Sequence, residues 1–208
     1  EHYGAEVICV HDEGDIGACI EECIALAQKM AAEDPRVFVP QQFVNRDNLA
    51  AHVDGTAAEI LADVREVGIA IDGFCSGFGT GGTITGIGSE LRTVFPDVQI
   101  WAAEPEHAAL LSGGAIGTHV QMGIGDGILP AIMDTSLIDE IVVVTDEEAL
   151  ACARRLAREE GLFCGISSGT NVAAALRLAR VLGPGKTVVT LAPDTGERYF
   201  STVLFEGE

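Results

Sequence analysis

The stretch Ser76-Gly77-Phe78-Gly79-Thr80-Gly81-Gly82-Thr83-Ile84-Thr85-Gly86 decides the fold. The apolar run before it, residues 69–75, predicts a buried strand. After it, Ile84, Ile87, Leu91 and Phe95 recur at helical spacing. The glycines therefore stand where a strand hands over to a helix. Without a Cβ in the way, backbone N–H groups can point into one hollow, and the helix behind adds the positive end of its dipole. Such a turn binds phosphate.

Two ligands compete for it. Gly77-x-Gly79-x-x-Gly82 matches the dinucleotide fingerprint, and Glu104 follows at the distance of a ribose-binding acid, after a strand expected at 99–103. On that reading the protein is a nicotinamide-dependent oxidoreductase. The hydroxyls of Thr80 and Thr83 favour the other ligand. They crowd the cup with donors, which suits the free oxygens of a terminal phosphate monoester better than a pyrophosphate in mid-chain. A tight turn with no ligand is the plain alternative.

Working outward, residues 6–10 read as a strand, and Ile16, Ile20, Cys23, Ile24, Ala27 and Met30 as the apolar stripe of a helix that Asp34-Pro35 stops. Residues 37–39 read as a short strand, followed by a polar loop holding Gln41, Gln42 and Asn45. Thr56-Ala57-Ala58-Glu59 and Thr145-Asp146-Glu147-Glu148 read as capping boxes, the second opening a helix that Gly161 closes. Strands are expected at 138–144 and 187–192, and a helix after Ser167-Ser168-Gly169-Thr170. Residues 105–135 are glycine-rich and without periodicity, the mark of a functional loop. Strands alternate with helices and no hairpin signal appears. The fold class is therefore α/β, a three-layer αβα domain with a mainly parallel twisted sheet. Ligands bind such sheets at the carboxyl ends of the strands. Four turns there could share one site: Gln41-Gln42, the glycine turn, Ser167-Ser168 and Asp194-Thr195.

Composition narrows the class. The chain has 208 residues, 48% of them hydrophobic, and a mean hydropathy of +0.29, which fits a sheet buried on both faces. No apolar run reaches the ~18 residues of a membrane span. A formal charge of −20 argues against nucleic acid and anionic membranes. The six cysteines form no C-x-x-C pair and read as reduced core thiols of a cytoplasmic protein, with no metal site expected. The first residue is Glu and a strand is expected almost at once, so the chain reads as part of something longer.

Taken in order, five segments resemble one family: Gln41-Gln42-Phe43-x-Asn45; Gly79-Thr80-Gly81-Gly82-Thr83-x-Thr85-Gly86; Gly123-Ile124-Gly125; Glu160-Gly161-x-x-x-Gly165-Ile166-Ser167-Ser168-Gly169; and Pro193-Asp194-x-Gly196-Glu197-Arg198-Tyr199. The chain is similar to cysteine synthase (O-acetylserine sulfhydrylase), a pyridoxal-phosphate enzyme of fold type II, along nearly all its length. Cystathionine β-synthase and O-phosphoserine sulfhydrylases of the same fold share part of this pattern. The resemblance implies that residues 41–208 form the large cofactor-anchoring domain and residues 1–40 a remnant of the smaller one. It implies that Gly79, Thr80, Gly81, Gly82 and Thr83 hold the phosphate of pyridoxal 5'-phosphate and that Ser167 meets its pyridine nitrogen. Gln42, Gly123, Ile124 and Gly125 would line the substrate site, with Pro193 and Asp194 nearby. The bare residues read otherwise: Ser167 as a helix N-cap, Gln42 as an exposed loop amide, Asp194 as a turn residue. The implied reaction replaces the acetate of O-acetylserine by sulfide to give cysteine. The implied partners are a second copy in a homodimer and the C-terminal tail of a serine acetyltransferase.

One departure matters. The family's Schiff-base lysine lies in a Ser-x-Lys-Asp-Arg-type segment that this sequence lacks, and its only lysines are Lys29 and Lys186. Lys29 is expected on a solvated helix face and Lys186 at the wrong end of the sheet. This chain alone is therefore expected to be catalytically inactive, or a binding module that keeps the fold.

Overall fold

The computed structural model describes residues 3–11 and 13–205. Four strands form one sheet in the order β3-β2-β1-β4: β1 (Gly73–Gly77), β2 (Gln99–Pro105), β3 (Glu140–Val144) and β4 (Val188–Val189). Every pairing is parallel, so each neighbour must be reached by a crossover. Helix α4 (Gly82–Val94) carries the chain from β1 to β2. Helices α5 (Asp146–Glu160) and α6 (Ile166–Leu182) carry it from β3 to β4.

The side chains of the central strands sort by alternation. Phe74 of β1 and Ile100 and Ala102 of β2 pack with Ile84, Ile87 and Leu91 of α4 and with Val64 of α3 (Ala58–Val67). Cys75 and Ala103 pack on the other face with Ala149 and Ala153 of α5 and Ala174 and Leu178 of α6. Successive strand residues thus serve opposite layers, which gives the expected αβα arrangement. All five residues of β1 are buried. The thiol of Cys75, donating to the Asn171 carbonyl at 3.4 Å, is pushed up to about 12 by that burial. Cys75 should stay unmodified by a thiol-specific disulfide reagent at mildly alkaline pH, while the exposed Cys9 and Cys23 react. Mass mapping of the labelled peptides checks this, and rapid labelling of Cys75 in the folded protein would contradict the packing.

The second capping box forms as expected: Thr145 Oγ1 accepts from Glu148 N at 3.1 Å, Glu148 returns the bond to Thr145 N at 3.0 Å, and Gly161 ends the helix in the left-handed region. Helix α1 (Ile16–Glu33) is capped by Asp15, whose carboxylate accepts from Ala18 N.

Several expectations are corrected. Residues 6–10 belong to no strand, and Val7 and Ile8 are exposed. No strand among the described residues pairs with them, and the same holds for residues 37–39, where Phe38 is 83% exposed. The apparent capping box at Thr56 opens no helix. The helix has already begun at α2 (Asp47–Ala51), widens into a π-helix over His52–Ala57, and passes directly into α3. The strand expected at 187–192 pairs over two residues only, with Gly73 and Phe74. The 105–135 loop is long and irregular, broken by a 3-10 turn at Thr135–Leu137 and an isolated bridge between Ala108 and Ile116.

Candidate active site

The carboxyl ends of β1 and β4 and the N-termini of α4 and α6 meet at one pocket of about 600 Å³, within the ~300–1,000 Å³ usual for small-molecule sites. Gln42, Gly79, Thr80, Gly81, Thr83, Gly123, Ile124, Ser167, Pro193 and Asp194 all line it. Gly82 and Gly125 do not. Gly82 packs under Asn48, and Gly125 is held behind the wall, its N–H donating to the Phe78 carbonyl at 2.9 Å.

The glycine turn is fixed before any ligand arrives. Gly81 caps α4 at φ 77°, a conformation an L side chain rarely adopts, and a Cβ there would lie 2.6 Å from Met133 Cβ. Thr80 Oγ1 accepts from Asn48 Nδ2 at 2.9 Å and from Gly82 N at 3.3 Å, so its own proton is left to donate into the pocket. The same Asn48 amide donates to the Gln42 carbonyl at 3.0 Å, tying the Gln42 loop to the cup. Ser167 is not the N-cap of its helix. Gly165 holds that position, and Ser167 stands inside the first turn of α6, 3% exposed.

The Gly123–Gly125 segment is braced from behind by Gln121, which is fully buried. Its Nε2 donates to the Val144 carbonyl at 3.0 Å and to Asp146 Oδ1 at 2.9 Å, and its Oε1 accepts from Thr170 at 2.7 Å. On the far wall, Tyr199 OH donates to Asp194 Oδ2 at 2.6 Å, while the buried Asp194 Oδ1 has no partner among the described residues. Burial, reinforced by Asp194, raises the Tyr199 phenol well above its ordinary value, so it is a donor throughout the neutral range.

His52, Asp126 and Asn171 line the pocket without figuring in the sequence reading; Thr56 lines it though it reads as a helix cap, and Tyr199 though it reads only as part of the closing motif. The π-helix turns His52 and Thr56 onto one side, where His52 Nδ1 lies 3.1 Å from Thr56 Oγ1 and His52 Nε2 lies 3.1 Å from Thr83 Oγ1. Burial lowers the His52 pKa, which keeps the ring neutral and able both to donate and to accept. An NMR titration should place its midpoint below the ordinary ~6.5. The unfolded chain binds this proton more readily than the folded one. His52 therefore contributes stability that is full above its unfolded value and lost as pH falls through its folded one. A midpoint above the ordinary value would contradict its burial. Asn171 closes the floor, with Oδ1 accepting from Gly77 N at 2.7 Å and Nδ2 donating to the Leu191 carbonyl at 2.9 Å.

The dinucleotide reading is corrected here. Glu104 is 1% exposed, lies away from the pocket, and accepts from Leu111 N at 2.6 Å, Ser112 N at 3.1 Å and Ser112 Oγ at 2.9 Å. A carboxylate so engaged is not available to a ribose. Lys29 and Lys186 also lie off the pocket, paired with Glu33 at 3.9 Å and with Asp72, before the start of β1, at 2.7 Å. Among the described residues no His, Cys, Asp and Glu cluster is placed to hold a metal, and no helix is long and apolar enough to cross a membrane.

A parallel αβα sheet with a glycine-threonine turn between a strand end and a helix N-terminus is the arrangement of enzymes that anchor a phosphorylated cofactor. Comparison with known proteins specifies which. The pattern of the pyridoxal-phosphate dependent enzymes matches residues 1–194, and the chain belongs to that family. It is 41% identical over 203 residues to a probable cysteine synthase of Bacillus subtilis and 40% identical to a cysteine synthase of Staphylococcus aureus, covering 98% of this chain and 64% and 63% of those proteins. An O-ureido-L-serine-bound mutant of O-ureido-L-serine synthase superposes with a TM-score of 0.89 at 40% identity, covering 99% of this chain and 62% of that one. The chain thus spans under two thirds of the length of these relatives.

The residues present fit the family's cofactor. The Gly79–Thr83 turn stands at a helix N-terminus, Gly81 takes the left-handed conformation with Met133 packed behind it, and the Thr80 hydroxyl, already accepting from Asn48, keeps its proton to donate. The buried Ser167 lines the same pocket and brings a neutral hydroxyl to it.

Proposed function

We propose that this chain is the cofactor-anchoring part of a pyridoxal-phosphate-dependent cysteine synthase, which replaces the acetate of O-acetylserine by sulfide. The observation that carries this reading is the convergence of the glycine-threonine cup, Ser167 and Gln42 on one pocket. Gly79, Thr80, Gly81 and Thr83 hold the phosphate, with Gly82 setting the turn from below. Ser167 meets the pyridine nitrogen. When bound, the cofactor supplies an electron sink for the amino acid joined to its aldehyde, so that a β-substituent can leave and another can add.

The chain's own groups orient and select. Gln42 offers its amide to the substrate carboxylate, its backbone carbonyl tied to Asn48. Gly123 and Ile124 form the wall beside the amino group, with Gly125 behind them, and Gln121 keeps that wall from moving. His52 and Thr83 set the cofactor's phosphate side. Ser167 would meet the ring nitrogen as a neutral hydroxyl, unlike a carboxylate, which would hold that nitrogen protonated. Pro193 and Asp194 close the ring end. Residues 1–40 are the remnant of a smaller domain, and the lysine that binds the aldehyde comes from the part of the family's length that this chain does not span. The homodimer, the cytoplasmic location and the docking of an acetyltransferase tail belong to the same proposal.

The test uses the protein as its cell makes it, with intact mass and absorbance recorded first. Sulfide-dependent cysteine formation from O-acetylserine is expected; its absence with that substrate, together with cysteine formation from O-phosphoserine and sulfide or cystathionine formation from serine and homocysteine, would move the assignment to those reactions. Borohydride reduction and peptide mapping locate the cofactor; label on Lys29 or Lys186 would overturn the lysine assignment.

A further inference from the structure

Asp126 belongs to none of the motifs that define the pocket, yet it lines it. A Cβ built on Gly79 would lie 2.8 Å from Asp126 Oδ2 and 3.0 Å from the Gly123 carbonyl, so the carboxyl rests directly against the anion cup. Among the described residues no hydrogen bond is made to it. Asp194, the pocket's other carboxylate, is by contrast engaged by Tyr199. The lining contains no Lys or Arg, and His52, its one basic side chain, is held neutral by burial. Among the described residues of this chain, a phosphate dianion and a substrate carboxylate would therefore meet carboxyl groups and no fixed cation.

Like charges this close do not both persist when one of them can take a proton. We propose that Asp126 is a ligand-binding residue that works as a neutral acid: it takes up a proton as a phosphate monoester fills the cup and then donates its O–H into the pocket. This rests on reading the glycine turn as a phosphate site. The groups that face Asp126 support it. On its own loop stands His119, whose Nε2 is 3.0 Å from the Gly125 carbonyl and which lowers the Asp126 pKa only when positive. From α1, Gly17 rests on Gly127 and the apolar Ile16 lines a small cavity with His119 and Asp126, bringing no charge to it. Across the pocket are His52, Asp194 and Tyr199, and the glycine turn contributes no titratable group. Burial already raises the Asp126 carboxyl before any ligand arrives.

The sign of the consequence is unusual for a binding residue. Above its free-state value Asp126 is ionised, and binding must first protonate it, so affinity falls as pH rises. Titration calorimetry of the purified protein with 4'-deoxypyridoxine 5'-phosphate, a phosphate monoester without the reactive aldehyde, reads the proton count in buffers of different ionisation enthalpy. The difference between wild type and Asp126→Asn removes the ligand's own second ionisation, near pH 6. Wild type is expected to take up as much as about one proton more than the variant, and its Kd to rise up to about tenfold more per pH unit above neutrality. Asp126→Asn should bind more tightly than wild type at about pH 8, and Asp126→Ala should share its flatter pH profile. Equal proton uptake in wild type and Asp126→Asn would overturn the inference alone. No binding of the phosphate monoester by either protein, at any pH, would overturn it together with the phosphate reading of the cup.

Discussion

Alanine at Gly81 will weaken binding of pyridoxal phosphate about a hundredfold, some 2.7 kcal/mol. Two costs combine. The left-handed conformation at φ 77° disfavours an L residue by about 1–2 kcal/mol. The new Cβ would meet Met133 Cβ at 2.6 Å and Met133 Cα at 3.2 Å, and overpacking of this kind costs about 1–3 kcal/mol. Met133 is tied down by its neighbour: Asp134 N donates to Thr85 Oγ1 inside α4. The turn relieves the strain by swinging the amides of the cup out of alignment. The loss should therefore appear in affinity more than in melting temperature, and should be far smaller for pyridoxine, which lacks the phosphate. Fluorescence titration with both ligands checks this; unchanged affinity for the phosphorylated one would remove the turn from the phosphate site.

Gly169→Ala should cost about 3 kcal/mol of stability or more, a fall of about 10 °C in Tm for a chain of this size. On helix propensity alone alanine would gain about 1 kcal/mol over glycine. Packing reverses the sign. The Cβ would lie 2.0 Å from the Ala149 carbonyl oxygen and 2.8 Å from Ala153 N, both backbone atoms of α5 that cannot rotate away. α5 and α6 must part, and Ser167 and Ser168, in the same turn of α6, move with Gly169. Loss of stability and loss of cofactor affinity should therefore appear together, in contrast to Gly81→Ala. A thermal melt followed through Trp101, the only tryptophan, makes the measurement. A melting temperature at or above wild type would mean that the two helices are not in backbone contact.

The parts of this fold that were legible in the sequence are those whose cause is local. The turn after β1 shows because glycine marks the backbone conformation it must adopt. The box at Thr145 shows because both halves of the cap lie within one turn. Thr56 misled for the same reason. Its spacing to Glu59 is a perfect local signal, but whether a helix starts there depends on Asp47 to Ala51 already being helical, and the Thr56 hydroxyl pairs with His52 Nδ1 instead. Residues 6–10 and 37–39 have strand-like side chains, yet a strand exists only where another strand accepts its hydrogen bonds. The pocket divides in the same way. The glycine and serine turns were readable, whereas His52, Asp126 and Asn171 meet the site from elements far apart in the chain. Asn171 satisfies Gly77 across 94 residues, a pairing no local pattern records.

The widened turn at His52–Ala57 has a consequence for how this chain tolerates change in length. A π-turn holds one residue more than the α-helix around it would need, at some expense in backbone hydrogen bonding. Removing one residue there would leave a straighter and more regular helix, and by the ordinary measure of helical order a better one. It would also rotate everything on one side of the deletion by about 100° relative to the other. His52 could then no longer face Thr83 while α3 kept Val64 in the core. Lengthening or shortening is tolerated in the surface loops, but this helix cannot be made regular without giving up either the pocket or the packing beneath it.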